Sequence, residues 1–190
     1  MIDKEFNRQV RAVFDEETIT VYQAYRPEIA IPAVKHQKFV PPFKIDRMTW
    51  IKPSFLWMMY RCGWGEKEGQ EHVLAIKIKH EGWQWAMDNS CLSHFDSSIH
   101  ESHEAWKASV KNSPVRIQWD PERDIYLKKL EYRAIQVGLS GEAVPLYVNE
   151  WITEISDITE LSKNIKTFID QGKIEEAKSL LPEEKNFTSY

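Results

Sequence analysis

The chain has 190 residues, of which 42% are hydrophobic and 12% aromatic, and this excludes a disordered or low-complexity protein. A net charge of -4 excludes coating of nucleic acid or an anionic membrane by bulk charge, so any anion site must be local. Two cysteines, Cys62 and Cys91, cannot build a disulfide framework, and Arg, Lys or Pro breaks every apolar stretch well short of the roughly 18 residues that span a membrane. The N-terminus carries charges where a signal peptide needs an apolar run, so the expectation is a cytoplasmic protein with no membrane partner.

A short N-terminal helix is expected first, then a strand over "TITVYQAYR" (18–26), whose residues are β-branched and aromatic and whose end carries Gln23 and Arg26. Prolines 27, 32, 41 and 42 punctuate the next segment, with room for a short helix over 28–36. "RMTWIKPSFLWMMYRCGW" (47–64) holds three tryptophans and three methionines, yet also Arg47, Lys52 and Arg61. "RMTWI" suits a strand, Pro53 the first turn of a helix, and Gly63 its end. After a loop over 65–70, "EHVLAIKIKH" alternates as a strand with one wet face.

"GWQWAMDNSCLSHF" and "SIHESHEAWKASV" read as helical or irregular. "SPVRIQWDPERD" is expected to be a strand stopping at Pro121, with Arg116, Gln118 and Asp120 on one face and Val115, Ile117 and Trp119 on the other. "LEYRAIQVGLSG" is a further strand ended by Gly141. Beyond Val144 the spacing of Ile155, Ile158, Leu161 and Ile165 suggests helix, and 174–190 a short amphipathic helix with a frayed tail. No repeat or linker divides the chain. The expectation is a single α+β domain over 1–190, with a central, mainly antiparallel sheet, single or split, flanked by helices.

Familiar chemical signatures are absent. His100 and His103 lack the companions a metal site needs, no G-x-S-x-G elbow or family cysteine signature occurs, and neither a Walker motif nor G-x-G-x-x-G is present. Polar residues set in strand-like or aromatic segments remain: Gln23, Arg26, Arg47, Lys52, Arg61, Arg116, Gln118, Asp120, Glu122, Arg123, Arg133 and Gln136. A buried guanidinium needs a carboxylate, carbonyls or a bound anion, and its fork suits phosphate, while aromatic rings stack on a base. Arginines stacked on tryptophan, or paired with Asp120 and Glu122, would give the same sequence without a ligand. Arg47 and Lys52 are expected to flank a strand-to-helix turn facing an anion, and Arg61 to be a helix-end cation.

The strings "VYQAYRPEIA", "RMTWIKPSFLWMMYRCGW", "RIQWDPER" and "YRAIQVGL" together resemble domain of unknown function family 4291 over nearly the whole chain. A looser resemblance, to ADP-ribosyltransferases, implies a split sheet that holds NAD. In that likeness "VYQAYR" is the first strand, with Gln23 or Arg26 facing NAD. "TWIKPSFLWMMY" is the second strand and its helix, with Trp50 to stack on nicotinamide and Ser54 at the helix start, and "YRAIQVGL" supplies Gln136. The likeness implies Gln136 and Arg26 as catalytic residues, and Gln23, Arg47, Trp50, Lys52, Ser54, Arg116 and Arg133 as NAD- or nucleotide-binding, with no metal. Gln136 stands where many such enzymes carry Glu, and the Ser-Thr-Ser triplet is missing. Two functions are then open: an NAD-using transferase acting on nucleic acid or protein, or a non-catalytic module whose Arg/Trp-lined cleft holds nucleic acid or a partner protein.

Overall fold

In the computed structural model, which describes residues 7–188, the N-terminal part of the chain is extended rather than helical. β1 (Arg11–Ala12) opens it, and any helix at 1–6 lies outside the described residues. The β-branched run forms β2 (Thr18–Tyr25), followed by α1 (Pro27–His36), which tolerates Pro27 in its first turn. β3 (Thr49–Ile51) leads into α2 (Phe55–Cys62). Pro53 precedes that helix rather than opening it, because Ser54 is the N-cap and accepts from Trp57 N; Gly63 ends it at φ 59. β4 (His72–Lys79), α3 (His80–Asp88), β5 (Ser90–Leu92) and α4 (His103–Asn112) come after it. β6 (Val115–Arg123), β7 (Lys129–Leu139), α5 (Ala143–Leu146) and a π-helical turn (Tyr147–Trp151) are next. The chain closes with β8 (Ile152–Asp157), α6 (Thr159–Asp170), α7 (Ile174–Ser179) and β9 (Lys185–Asn186).

The fold is α+β, and its strands pair antiparallel except β5 with β6. One sheet has the order β2-β4-β8, the other β3-β7-β6-β5, and β1 pairs with β9. The two larger sheets touch where Tyr22 faces Lys52: Tyr22 N donates to Lys52 O at 2.7 Å and Lys52 N to Tyr22 O at 3.3 Å. Beyond that bridge β2 and β3 diverge, and a cleft opens between the sheets.

Further expectations are corrected. β6 runs through Pro121 to Arg123, because a register shift between Pro121 and Arg123 lets the residue without an N–H sit in a bulge. Ile155 lies on a strand, since β4 offers a second edge and Ile76 takes Ile155 as its partner; only Ile158 and the residues after it follow the expected helical spacing. The tail is tied down through Phe187, whose N–H donates to Val10 O at 2.7 Å. The wet face of β4 is wet only in part: Val73 is buried beneath α2 and α6, while Lys77 pairs with Glu154 at 3.0 Å.

The core divides at the sheets. Ile19, Val21, Ile76, Ile78, Val137 and Leu139 pack with Trp83 and Tyr147 on one side. On the other, Tyr22, Phe55, Met58, Met59, Cys62 and Trp64 pack with α6 and α7. Most apolar residues of "SFLWMMYRCGW" thus fill a second core, while Trp57 and Tyr60 stack on each other outside it, and the cations of the stretch are placed elsewhere.

Candidate anion-binding cleft

β-strand alternation sets the cleft floor. Trp50 and Lys52 project from one face of β3 and its extension, beside Gly138 and Gln136 on β7 and Gln118 on β6, which pair in register as Trp50 with Gly138 and Gln118 with Gln136. Gly138 makes room for the indole: a Cβ there would stand 2.9 Å from Trp50 Cζ2. Trp50 therefore lies over the glycine, half-buried, and forms a wall. Gln23, Tyr25, Met48, Thr49, Met58, Arg61 and Gln70 complete a hollow of about 400 Å³. A second hollow of about 270 Å³ shares Tyr25, Met48 and Thr49 with it and adds Arg26, Lys44 and Arg47.

Charge is concentrated along this furrow. Lys52 and Arg61 line the first hollow, and Arg26, Lys44 and Arg47 the second. Arg26 has Glu28 at 3.8 Å; among the described residues no carboxylate lies within ion-pair distance of the other four. Lys52 is only 5% exposed, and its ammonium makes no hydrogen bond within the described residues. Burial, aided by the charge of Arg61, pushes its pKa down to about 8, with Cys62 and Asp120 pulling the other way.

Asp120 lies behind two of the lining residues rather than in the hollow itself. Gln136 Nε2 donates to its Oδ2 at 2.7 Å and Gln118 Nε2 to its Oδ1 at 3.0 Å, so two amides hold the carboxylate in place. Gln136 keeps its own carbonyl oxygen as an acceptor. Gln23, by contrast, is spent on structure. Its Nε2 donates to Thr49 Oγ1 at 2.6 Å, Tyr25 Oη at 2.8 Å and Trp50 O at 3.1 Å, and its Oε1 accepts from Tyr147 Oη at 2.8 Å. It struts β2 against β3 at the point where the sheets part.

The other expected residues lie elsewhere. Ser54 faces a separate hollow of about 430 Å³, where its Oγ donates to Glu122 Oε1 at 2.9 Å. Glu184 Oε1 accepts from Phe55 N there at 2.6 Å. Burial raises both carboxyls, with the charge of Glu122 adding to the shift that takes Glu184 to about 8. Arg116 is consumed by the carbonyls of Ser113 and Val110 at the end of α4, and Arg133 donates to Trp119 O at 3.0 Å. Arg123 adopts the ligand-free alternative, its Cζ 3.6 Å from the ring centre of Tyr60. The two expected catalytic residues are separated, Gln136 lining one hollow and Arg26 the next. Strand alternation had grouped Gln118 with Asp120, but Lys44, in an irregular loop, gave no signal. His100 and His103 both stack on Phe95, and no group of three His, Cys, Asp or Glu side chains converges on a metal position among the described residues. Nor, among those residues, is any helix long and apolar enough to cross a membrane.

These features define an α+β domain with a basic, tryptophan-walled cleft opening between two antiparallel sheets. The family model "Domain of unknown function (DUF4291)" matches residues 9–187, and the chain belongs to that family. A comparison with curated proteins finds no match.

Proposed function

We propose that the cleft binds a nucleotide, NAD foremost, and that the protein is an ADP-ribosyltransferase-like glycosyl transferase acting on nucleic acid or protein. The observation that carries this reading is the uncompensated charge: in a chain of net charge -4, Lys44, Arg47, Lys52 and Arg61 gather on one furrow with no carboxylate partner among the described residues. Four cations brought together repel one another, and a diphosphate neutralises them while its oxygens accept their hydrogen bonds. Trp50 offers a ring for a base or nicotinamide to stack on, and the Gln136 carbonyl an acceptor for a ribose hydroxyl. Cleavage of the glycosidic bond places positive charge on the ribose, which the Asp120 carboxylate, held by its two amides, would favour.

A non-catalytic module is the second reading, and the engagement of the Gln136 amide with Asp120 favours it, because that leaves one oxygen for any catalytic role. Nicotinamide release from NAD, measured with and without RNA and cell extract and beside an Arg47→Ala control, separates the two. Acceptor-dependent release that the control lacks is the expected result. A thermal shift with NAD but no release would leave a binding module, and neither effect would sink the nucleotide reading altogether.

A further inference from the structure

Lys52 differs from the other cations of the furrow in being buried. The residue is 5% exposed, its stem packed away and its Nζ left at the hollow that Lys52 lines, where among the described residues it makes neither an ion pair nor a hydrogen bond. Its backbone N–H and C=O both pair with Tyr22, so the side chain enters the cleft from the junction of two sheets rather than from a loop. We infer that Lys52 is a nucleophilic amine, and that the cleft takes a phosphorylated aldehyde, which Lys52 captures as an imine. This rests on the reading that the furrow binds anions, but not on NAD being among them.

Three features suit the chemistry. A buried amine without a carboxylate partner loses its proton at lower pH than a surface lysine, and only the neutral form attacks. The charged or titratable groups that act on Lys52 are Arg61 and Cys62 from α2 and Asp120 from β6, and burial outweighs them all. Secondly, Lys44 and Arg47 in the adjoining hollow can hold a phosphate while the carbonyl end reaches the 400 Å³ chamber that Lys52 lines. Thirdly, Gln118 and Gln136 line the hollow beside Lys52 and can hydrogen-bond the carbonyl oxygen or the water that shuttles the proton from nitrogen to oxygen. In the step itself Nζ attacks the carbonyl carbon, and the oxygen gains the proton that nitrogen gives up, forming a carbinolamine. The hydroxyl then leaves as water on protonation as nitrogen supplies the C=N pair, so amine and aldehyde become imine and water with no change of oxidation state.

Pyridoxal 5′-phosphate serves as the probe, an aldehyde with its own phosphate; borohydride reduces the imine to a stable amine that peptide mapping locates. Lys52 is expected to be labelled at least tenfold faster at pH 7.5 than the exposed Lys38 and Lys107, with its rate rising through a midpoint near pH 8. Labelling of Lys52 no faster than those surface lysines would overturn the inference. Pyridoxal without its phosphate should label Lys52 at least fivefold more slowly, and equal rates would overturn the phosphorylated substrate. If Lys52 labels but NAD neither shifts the melting temperature nor is cleaved, the nucleotide reading fails and this one stands. If NAD binds while Lys52 stays unlabelled, the reverse holds.

Discussion

At the level of single residues, Lys52 and Glu184 act on stability in neighbouring pH windows. The Lys52 pKa falls to about 8 in the folded state, while the unfolded chain holds its proton to near its ordinary value. Between about pH 8 and 10 the unfolded state therefore binds more protons, and stability rises with pH. Above that, Tyr22 and Tyr147, pushed up by burial, act in the opposite sense. Replacing Lys52 by Met should remove the rise and, by deleting an uncompensated buried charge, stabilise the fold by about 1–2 kcal/mol at pH 7. The same change should weaken nucleotide binding about tenfold or more, since one charge-assisted bond is lost. Urea titrations at several pH values and a direct binding isotherm read both effects.

Glu184 works the other way. Its carboxyl is raised to about 8 by burial, with the charge of Glu122 adding to it, so it retains a proton that the unfolded chain gives up near pH 4.5. Stability is fully present below the unfolded value and declines as pH rises toward 8. Glu184→Gln should flatten that decline, leaving the variant about 3 kcal/mol less sensitive than the parent between pH 5 and 8. An unchanged slope in urea melts would show that Glu184 ionises freely.

Elements meet at two points where one atom decides the packing, one in this cleft and one outside it. Gly138 on β7 lets Trp50 on β3 lie across it, and Gly138→Ala would put Cβ 2.9 Å from the indole. The ring must shift, at about 1–3 kcal/mol, and nucleotide affinity should fall with it, because the stacking wall moves. Tryptophan fluorescence with a stability measurement checks both. At the head of α2, Ser54 caps the helix and also donates to Glu122. Ser54→Ala should cost about 1–2 kcal/mol in thermal or urea unfolding, while binding in the cleft stays intact, since Ser54 faces the other hollow.

For the molecule as a whole, charge placement matters more than its sum. A net charge of -4 coexists with a furrow of five cations, drawn from the turn between β2 and α1, the loop before β3, the β3 exit and the end of α2. Binding of NAD or ADP should therefore weaken several-fold between about 50 and 300 mM salt, although the bulk protein is acidic. An affinity indifferent to salt in that range would argue against an electrostatic clamp.

Most strands and helices were legible because local patterns carry them. The alternation in Thr18–Tyr25 and His72–Lys79, the glycine stop at Gly63 after α2, and the apolar spacing of α6 each arise within a few residues. Lys52 and Trp50 could also be marked as unusual from sequence, since a cation in so apolar a stretch needs a reason. Pairing between distant segments was not legible. Ile155 became a strand residue because β4 had a free edge, the tail was held because β1 offered it a partner, and Gln23 turned from a ligand contact into a strut because Thr49 and Tyr147 surround it. By itself the sequence determined most element types and marked Arg26, Arg47, Lys52, Arg61 and Trp50, which rest on local composition and spacing, and its longer strings resembled the family that the comparison shows. Only the tertiary structure decided which cations go without partners. That depends on which carboxylates the chain brings within a few ångströms, a question of long-range packing that no local pattern encodes.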